Sequence, residues 1–193
     1  MLNQRQATKS LIELFNKPNP LIDYLVPLIG DKKEIKIADI GSGPISKIGH
    51  YLDDIKVKIY NSDKRDFKGF YEKYNIESYV DIEYQDMEKL TYADNFFDVV
   101  HCANALDHTV NALAAVKEMI RICKPGGWVY IDCSLDQLST GYKHYWNAKA
   151  DGKFINNTDQ FDLKDFGFKI RFIDKGGESR YNQIIATLKK ASQ

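Results

Sequence analysis

The stretch Ile37-Ala-Asp-Ile-Gly-Ser-Gly-Pro44 limits the possible folds more than any other: an apolar, strand-like run carries an aspartate and then breaks at two closely spaced glycines. Gly41 and Gly43 let the chain turn sharply and approach a bound molecule without Cβ interference. Such a loop suits a nucleotide, although a purely structural turn has the same local pattern. The segments after it alternate. Residues 33–40 read as a first strand, 46–52 as a helix, 57–60 as a second strand ending at Asn61-Ser-Asp63, and 67–74 as another helix. Residues 80–84 have strand character and end at Gln85-Asp86-Met87; residues 97–102, after an Asp94-Asn95 turn signal, form a β-branched strand. Val110, Leu113, Ala114, Val116, Met119 and Ile120 recur at helical spacing, Lys124-Pro-Gly-Gly127 stops that helix, and 128–132 is a further buried strand. Strands alternating with helices argue for a parallel sheet covered on both faces.

The flanks are less regular. Residues 2–30 read as two short helices, with Leu11, Ile12, Leu14 and Phe15 in the first. The second has Asn19-Pro20 as cap and first position, Leu21, Ile22, Leu25 and Val26 as its apolar positions, and Pro27 and Gly30 as punctuation. This cap either packs on the core or covers a neighbouring site. Residues 134–160 are a polar and aromatic insertion, 162–166 a short helix, and 168–173 with 183–188 an antiparallel pair joined through Gly176-Gly177. A length of 193 residues suits one domain spanning the chain, with 1–30 as a helical cap.

Lys+Arg and Asp+Glu both number 27, so no net charge draws the chain to nucleic acid or an anionic membrane. Cys102, Cys123 and Cys133 form no CxxC pair, which argues against a disulfide framework or a structural zinc site. The first ten residues lack the apolar core of a signal peptide, and no run approaches the roughly 18 apolar residues of a spanning helix. A cytoplasmic monomer or homodimer is expected.

Taken in order, the motifs resemble those of class I S-adenosylmethionine-dependent methyltransferases over about residues 35–132. The resemblance implies a Rossmann-like three-layer α/β/α sandwich whose mostly parallel seven-stranded sheet has an antiparallel last strand. Residues 37–44 are similar to that family's glycine-rich first motif, Asp63 to the acid closing its second strand, and Asp86-Met87 to its adenine-contacting pair. Asp94 to Val100, Leu106-Asp107-His108 and Lys124-Pro-Gly-Gly127 resemble the approach to the fourth strand, the sequence after it and the turn before the fifth.

The implied cofactor is S-adenosyl-L-methionine, leaving as S-adenosyl-L-homocysteine. Asp39 then lies near the sulfonium or amino group, and Gly41, Ser42 and Gly43 bring backbone to the methionine moiety. Asp63 accepts from the ribose hydroxyls, an ionised carboxylate having acceptors only. Asp86 accepts from the adenine amino group, unless it merely caps the next turn, and Met87 packs on the ring. Asn104 borders the same crevice. Ile45 departs from the pattern, since many members carry a third glycine there.

Methyl transfer from a sulfonium is an in-line displacement whose barrier falls chiefly through alignment. A general base is needed only for a poorly ionised acceptor. His108 and His144 are the candidates, imidazole titrating near neutrality, although the position of His108 is often structural in the family. Gly141-Tyr-Lys-His-Tyr-Trp146 is either an acceptor pocket or a surface helix with a buried aromatic edge; Tyr142, His144 and Trp146 are its expected acceptor contacts. His101 is expected to be a core histidine. Without an H-E-x-x-H-like cluster, no metal set is expected, even with Asp107 beside His108 and Asp132 in reach. The Asn/Asp-Pro-Pro-aromatic tetrapeptide of amino-group methylators is absent, which favours the hydroxyl or carboxylate oxygen of a small metabolite or sugar. The alternatives are a catalytically inactive binding protein on this fold, or a nicotinamide-dependent oxidoreductase, disfavoured by Ser46 at the final glycine position.

Overall fold

In the computed structural model, which describes residues 12–14, 16–135, 144–175 and 182–192, the first strand β1 (Glu34–Ile40) is the hub. Its successive side chains point to opposite faces. Ile35 and Ile37 join one apolar cluster and Ala38 and Ile40 another, so the strand is buried on both sides. It pairs in parallel with β2 (Lys56–Asp63) on one edge, and β3 (Ile82–Tyr84) continues beyond β2. On its other edge it pairs in parallel with β4 (Phe97–Ala103), followed by β5 (Cys123–Ser134).

The insertion forms its own antiparallel sheet of β6 (Asn147–Ala148), β7 (Lys153–Ile155) and β8 (Gln160–Asp162). The chain then returns as β9 (Lys169–Ile173) and β10 (Gln183–Lys189), giving the main sheet the order β3-β2-β1-β4-β5-β10-β9. β10 is antiparallel to both neighbours. Among the described strands the last in sequence therefore lies inside the sheet, as the only one of the main sheet running against the rest, and β9 forms the edge.

Helices and loops cover both faces. The short helix α1 (Val26–Ile29) lies on one side, α2 (Lys68–Tyr74) follows β2, and α3 (Ala112–Ile122) is the longest described helix. The buried residues of α3, Ala112, Ala115, Val116, Met119 and Ile122, form one stripe that packs with Ala38, Val100 and Cys102. Asn111 caps it, accepting from the Ala114 N–H at 3.0 Å. On the opposite face Leu21, Leu25 and Ile48 pack with Ile35, Val99 and Tyr130.

Three expectations change. Residues 46–52 form no helix, because their backbone bonds go to the N-terminal segment: Ile22 N–H donates to Ile48 O, His50 N–H to Asn19 O and Leu21 N–H to Tyr51 O. Gly49 permits this approach; at φ 87°, a Cβ there would sit 2.0 Å from the Pro20 carbonyl oxygen. Pro20 bridges to Tyr51 instead of opening a helix, and Pro27 lies in the first turn of α1. Lys124-Pro-Gly-Gly127 lies within β5, where the register against β4 shifts between Phe97 and Val99. A Cβ on Gly127 would lie 2.7 Å from the Asp98 carbonyl oxygen. Leu11, Phe15, Tyr142 and Gly176-Gly177 lie outside the described residues. Among those described, no helix is long and apolar enough to cross a membrane.

Candidate functional site

An open α/β sheet binds ligands beyond the carboxyl ends of its strands, where neighbouring connections diverge. Here that point lies between β1 and β4. The loop after β1 folds against β2 through Gly41 and Ser42 N–H bonds to Ser62 O, 2.8 and 3.0 Å long. Gly41 has φ 71°, and a Cβ on it would lie 2.4 Å from the Ala105 Cβ and 3.1 Å from the Met87 methyl. Only glycine fits there. Two cavities meet at this loop. One of about 520 Å³ is lined by Tyr24, Asp39, Gly43, Ile45 and His101, and the other, about 190 Å³, by Asp63, Met87, Ala105 and His108. Gly41, Arg65 and Asn104 line both. A wider open groove of about 950 Å³ between α2 and β3 shares only Asp63 and Arg65 with them, and the glycine loop does not line it.

Asp39 and His101 point to the face covered by the N-terminal segment. Asp39 is 4% exposed; Oδ1 meets His101 Nδ1 at 2.8 Å and Oδ2 accepts from the Ser46 hydroxyl at 3.1 Å. His101 Nε2 meets the Tyr24 hydroxyl at 2.9 Å, and Tyr24 stacks on Tyr130 with centroids 4.7 Å apart. Burial, followed by the negative fields of Tyr130, Asp39 and Asp132, raises the Tyr24 phenol well above its ordinary range. His101 is buried as expected, but it also belongs to a bonded chain along the cavity wall.

Asp63 closes β2 with a 5% exposed side chain. Oδ1 accepts from the Arg65 backbone N–H and Nε, both at 3.0 Å, and Oδ2 from Arg65 Nη2 at 2.9 Å and Gly43 N–H at 3.1 Å. Burial opposes ionisation, but the Arg65 guanidinium and the two backbone N–H groups outweigh it and hold the carboxyl below its ordinary range. Asp86 behaves as the turn cap, accepting from Glu88 N–H at 3.0 Å, and its half-exposed side chain is 3.8 Å from Lys64 Nζ. Met87, rather than Asp86, lines the smaller cavity. Asn104, at φ 49°, uses its side-chain oxygen to accept from Ser134 N–H and Oγ, both at 2.9 Å, tying the end of β4 to β5.

The two histidine candidates come together. His108, in a 3-10 turn (Leu106–His108), and His144 have ring centroids 4.3 Å apart, and His144 Nδ1 lies 2.6 Å from Asp107 Oδ2. The Asp107 carbonyl accepts from Tyr145 N–H at 2.8 Å and Trp146 N–H at 3.2 Å, which fixes the insertion to this turn. Trp146 corrects an expectation. It is 4% exposed, donates from Nε1 to Val110 O at 3.2 Å and packs edge-on against Phe161, so it is core rather than a stacking surface for an acceptor. Ile45 is likewise buried, although it contributes to the wall of the larger cavity.

The family model for a methyltransferase domain matches residues 39–131, from Asp39 through the strand after α3. Residues 39–131 are thus a methyltransferase domain of the class I S-adenosylmethionine-dependent kind. It is 29% identical over 121 residues to the ubiquinone/menaquinone biosynthesis C-methyltransferase UbiE of Coxiella burnetii, covering 63% of this chain and 41% of that protein. It is 28% identical over 109 residues to the sterol 24-C-methyltransferase of Aspergillus fumigatus, covering 54% and 29%. The chain thus spans about two fifths of the length of the first of these. In fold it is similar to a chain from the complex between the Haloferax volcanii Trm112 methyltransferase activator and a methyltransferase, with TM-score 0.63, 12% identity, and 97% and 95% of the two chains covered.

Membership of this methyltransferase family implies S-adenosyl-L-methionine as cofactor. The residues fit that group: Gly41 leaves a cradle that a Cβ would fill, and a buried carboxylate, Asp63, sits at its rim. One adjustment is required. All of the roughly four acceptor positions of a carboxylate are taken at Asp63, so the Arg65 side chain, 65% exposed, must move for a ribose to bond there. The sequence gives no sign of a part in the site for Tyr24 or for Ser46, the donor to Asp39; Arg65, a cation two residues after a strand-end carboxylate, does leave a local signal.

Proposed function

We propose that this methyltransferase moves the methyl group of S-adenosyl-L-methionine to an oxygen of a small hydroxylated molecule. The observation that carries the reading is the pair of cavities sharing Gly41, Arg65 and Asn104, with His108 on the wall of the smaller one. The two cavities together suit the cofactor, with its methionine part beside Asp39 and its adenosine part beside Asp63 and Met87, and leave the His108 wall to the acceptor. When bound, the cofactor supplies a sulfonium-activated methyl group. The chain's own contribution is alignment, with the Asp39–His101–Tyr24 bonds fixing one wall and the backbone bonds from Tyr145 and Trp146 to Asp107 fixing the acceptor side. His108 on that wall, with the His144 ring behind it, suits an oxygen-bearing acceptor, and zero net charge supports a small molecule over a nucleic acid. The three cysteines are free and buried, which suits the reducing cytoplasm.

The test is incubation with methyl-labelled cofactor and a panel of phenols, enols, sugars, carboxylates and quinols, with products located by NMR. Label on oxygen is expected. Label on carbon, the chemistry named for both curated relatives, would overturn the oxygen assignment alone. Cofactor binding with no transfer to any acceptor would favour a binding protein on the same fold.

A further inference from the structure

We propose that Asp107, His108 and His144 form a binding site for a divalent first-row cation of the zinc type. One ligand atom from each, a carboxylate oxygen and two imidazole nitrogens, lies within 4.8 Å of the others. A tetrahedral ion with bonds of about 2.0–2.2 Å holds its ligand atoms roughly 3.4 Å apart, so closure asks for movements of about an ångström. The scaffold is already set. Main-chain bonds from Tyr145 and Trp146 of the insertion to the Asp107 carbonyl hold it to the 3-10 turn, so the metal does not have to assemble the site.

A separate observation concerns Asp107 itself. Its side chain is 5% exposed, and while Oδ2 meets His144, Oδ1 is buried with no hydrogen-bond partner among the described residues. A desolvated carboxylate oxygen left unmatched is costly, and a cation is the natural complement to its charge. The donor set selects the ion. Two imidazoles with one carboxylate suit zinc and its first-row neighbours, whereas calcium and magnesium prefer oxygen alone. It is also the ligand count of zinc sites that keep a fourth position open.

The role of the ion rests on the methyl-transfer reading; its binding does not. His108 also lines the smaller cavity, so the ion would lie at that wall and bind an acceptor hydroxyl in its open position. Coordination lowers the hydroxyl pKa. The proton passes to solvent, the oxygen forms its bond to the methyl carbon, and the C–S bond breaks to leave a neutral thioether. The sequence hides this set because its third ligand lies 36 positions from the second.

The test uses the full chain without an affinity tag, stripped with chelator and then titrated with zinc in calorimetry and with cobalt in visible absorption. All three cysteines are buried, so thiols offer little competition. One equivalent of zinc should bind, with tetrahedral cobalt bands, and His144→Gln and His108→Gln should each weaken binding by about 100-fold or more. Circular dichroism checks folding, and the only partly buried His108 keeps the test informative if the His144 variant does not fold. Folded wild-type protein with no saturable zinc binding, or a folded variant that binds as wild type does, overturns the proposal. S-adenosylhomocysteine binding to the stripped protein is measured separately; if it persists while zinc fails, the metal site alone is lost.

Discussion

Replacing Arg65 with alanine is expected to weaken the fold and tighten the cofactor. Arg65 holds Asp63 through Nε and Nη2 at 3.0 and 2.9 Å, the bonds that ribose hydroxyls would replace in the proposed placement of the cofactor. An exposed ion pair contributes about 0.2–1 kcal/mol; Arg65 is 65% exposed, which screens the pair, while Asp63 at 5% pulls it to the upper end. We take about 1 kcal/mol. Arg65→Ala should therefore lower unfolding free energy by about that much in urea titrations and improve the S-adenosylhomocysteine dissociation constant about fivefold by calorimetry. The guanidinium also has somewhere to go, since it already lies 5.1 Å from the Phe67 ring. Arg65→Lys, which keeps charge but loses the two-pronged geometry, should fall between. Equal or weaker cofactor binding by a folded Arg65→Ala protein would refute the displacement argument.

Gly41→Ala should cost about 2–4 kcal/mol in urea unfolding, from the left-handed φ and the Ala105 contact, and should weaken cofactor binding; a loss under about 1 kcal/mol would show that the loop relaxes freely. Because the Asp63 carboxyl is held low in the folded chain, the unfolded chain binds more protons in acid. Its stabilisation is thus present above the unfolded pKa of about 3.9 and lost as pH falls through the folded value, and Asp63→Asn should flatten the acid limb of a stability–pH curve from about pH 5 downwards. Superimposable curves would contradict this assignment. Tyr24→Phe removes the bond to His101 and leaves the stack on Tyr130, so it should cost about 1 kcal/mol; no change in thermal or urea unfolding would mean that the bond is inconsequential.

The central strands were legible because burial on both faces makes 35–40 and 97–102 predominantly apolar and rich in β-branched residues, and α3 because its buried residues keep helical spacing. Residues 46–52 misled for a physical reason: Ile48 and Leu52 are apolar at helical spacing, yet those residues serve equally in an irregular cover whose bonds go to 19–22. Nothing local in the sequence reveals that distant pairing. The glycine loop and Asp63 were readable because backbone geometry and strand ends are local properties. The Asp39–His101–Tyr24 chain and the Asp107–His144 contact were not, since they join residues 62, 77 and 37 positions apart. Trp146 shows the limit of composition, because an aromatic that stacks on a ligand and one that fills a core look alike in one dimension.

The most direct test of the account is calorimetric titration of the intact chain and Asp63→Ala with S-adenosylhomocysteine and, separately, NAD. One equivalent of S-adenosylhomocysteine should bind to the wild type, Asp63→Ala should weaken it by about 1.5–3 kcal/mol, and NAD should give no saturable heat. Binding of NAD instead, or an affinity for S-adenosylhomocysteine unchanged by losing the carboxylate, would contradict the placement of the adenosyl group at the end of β2.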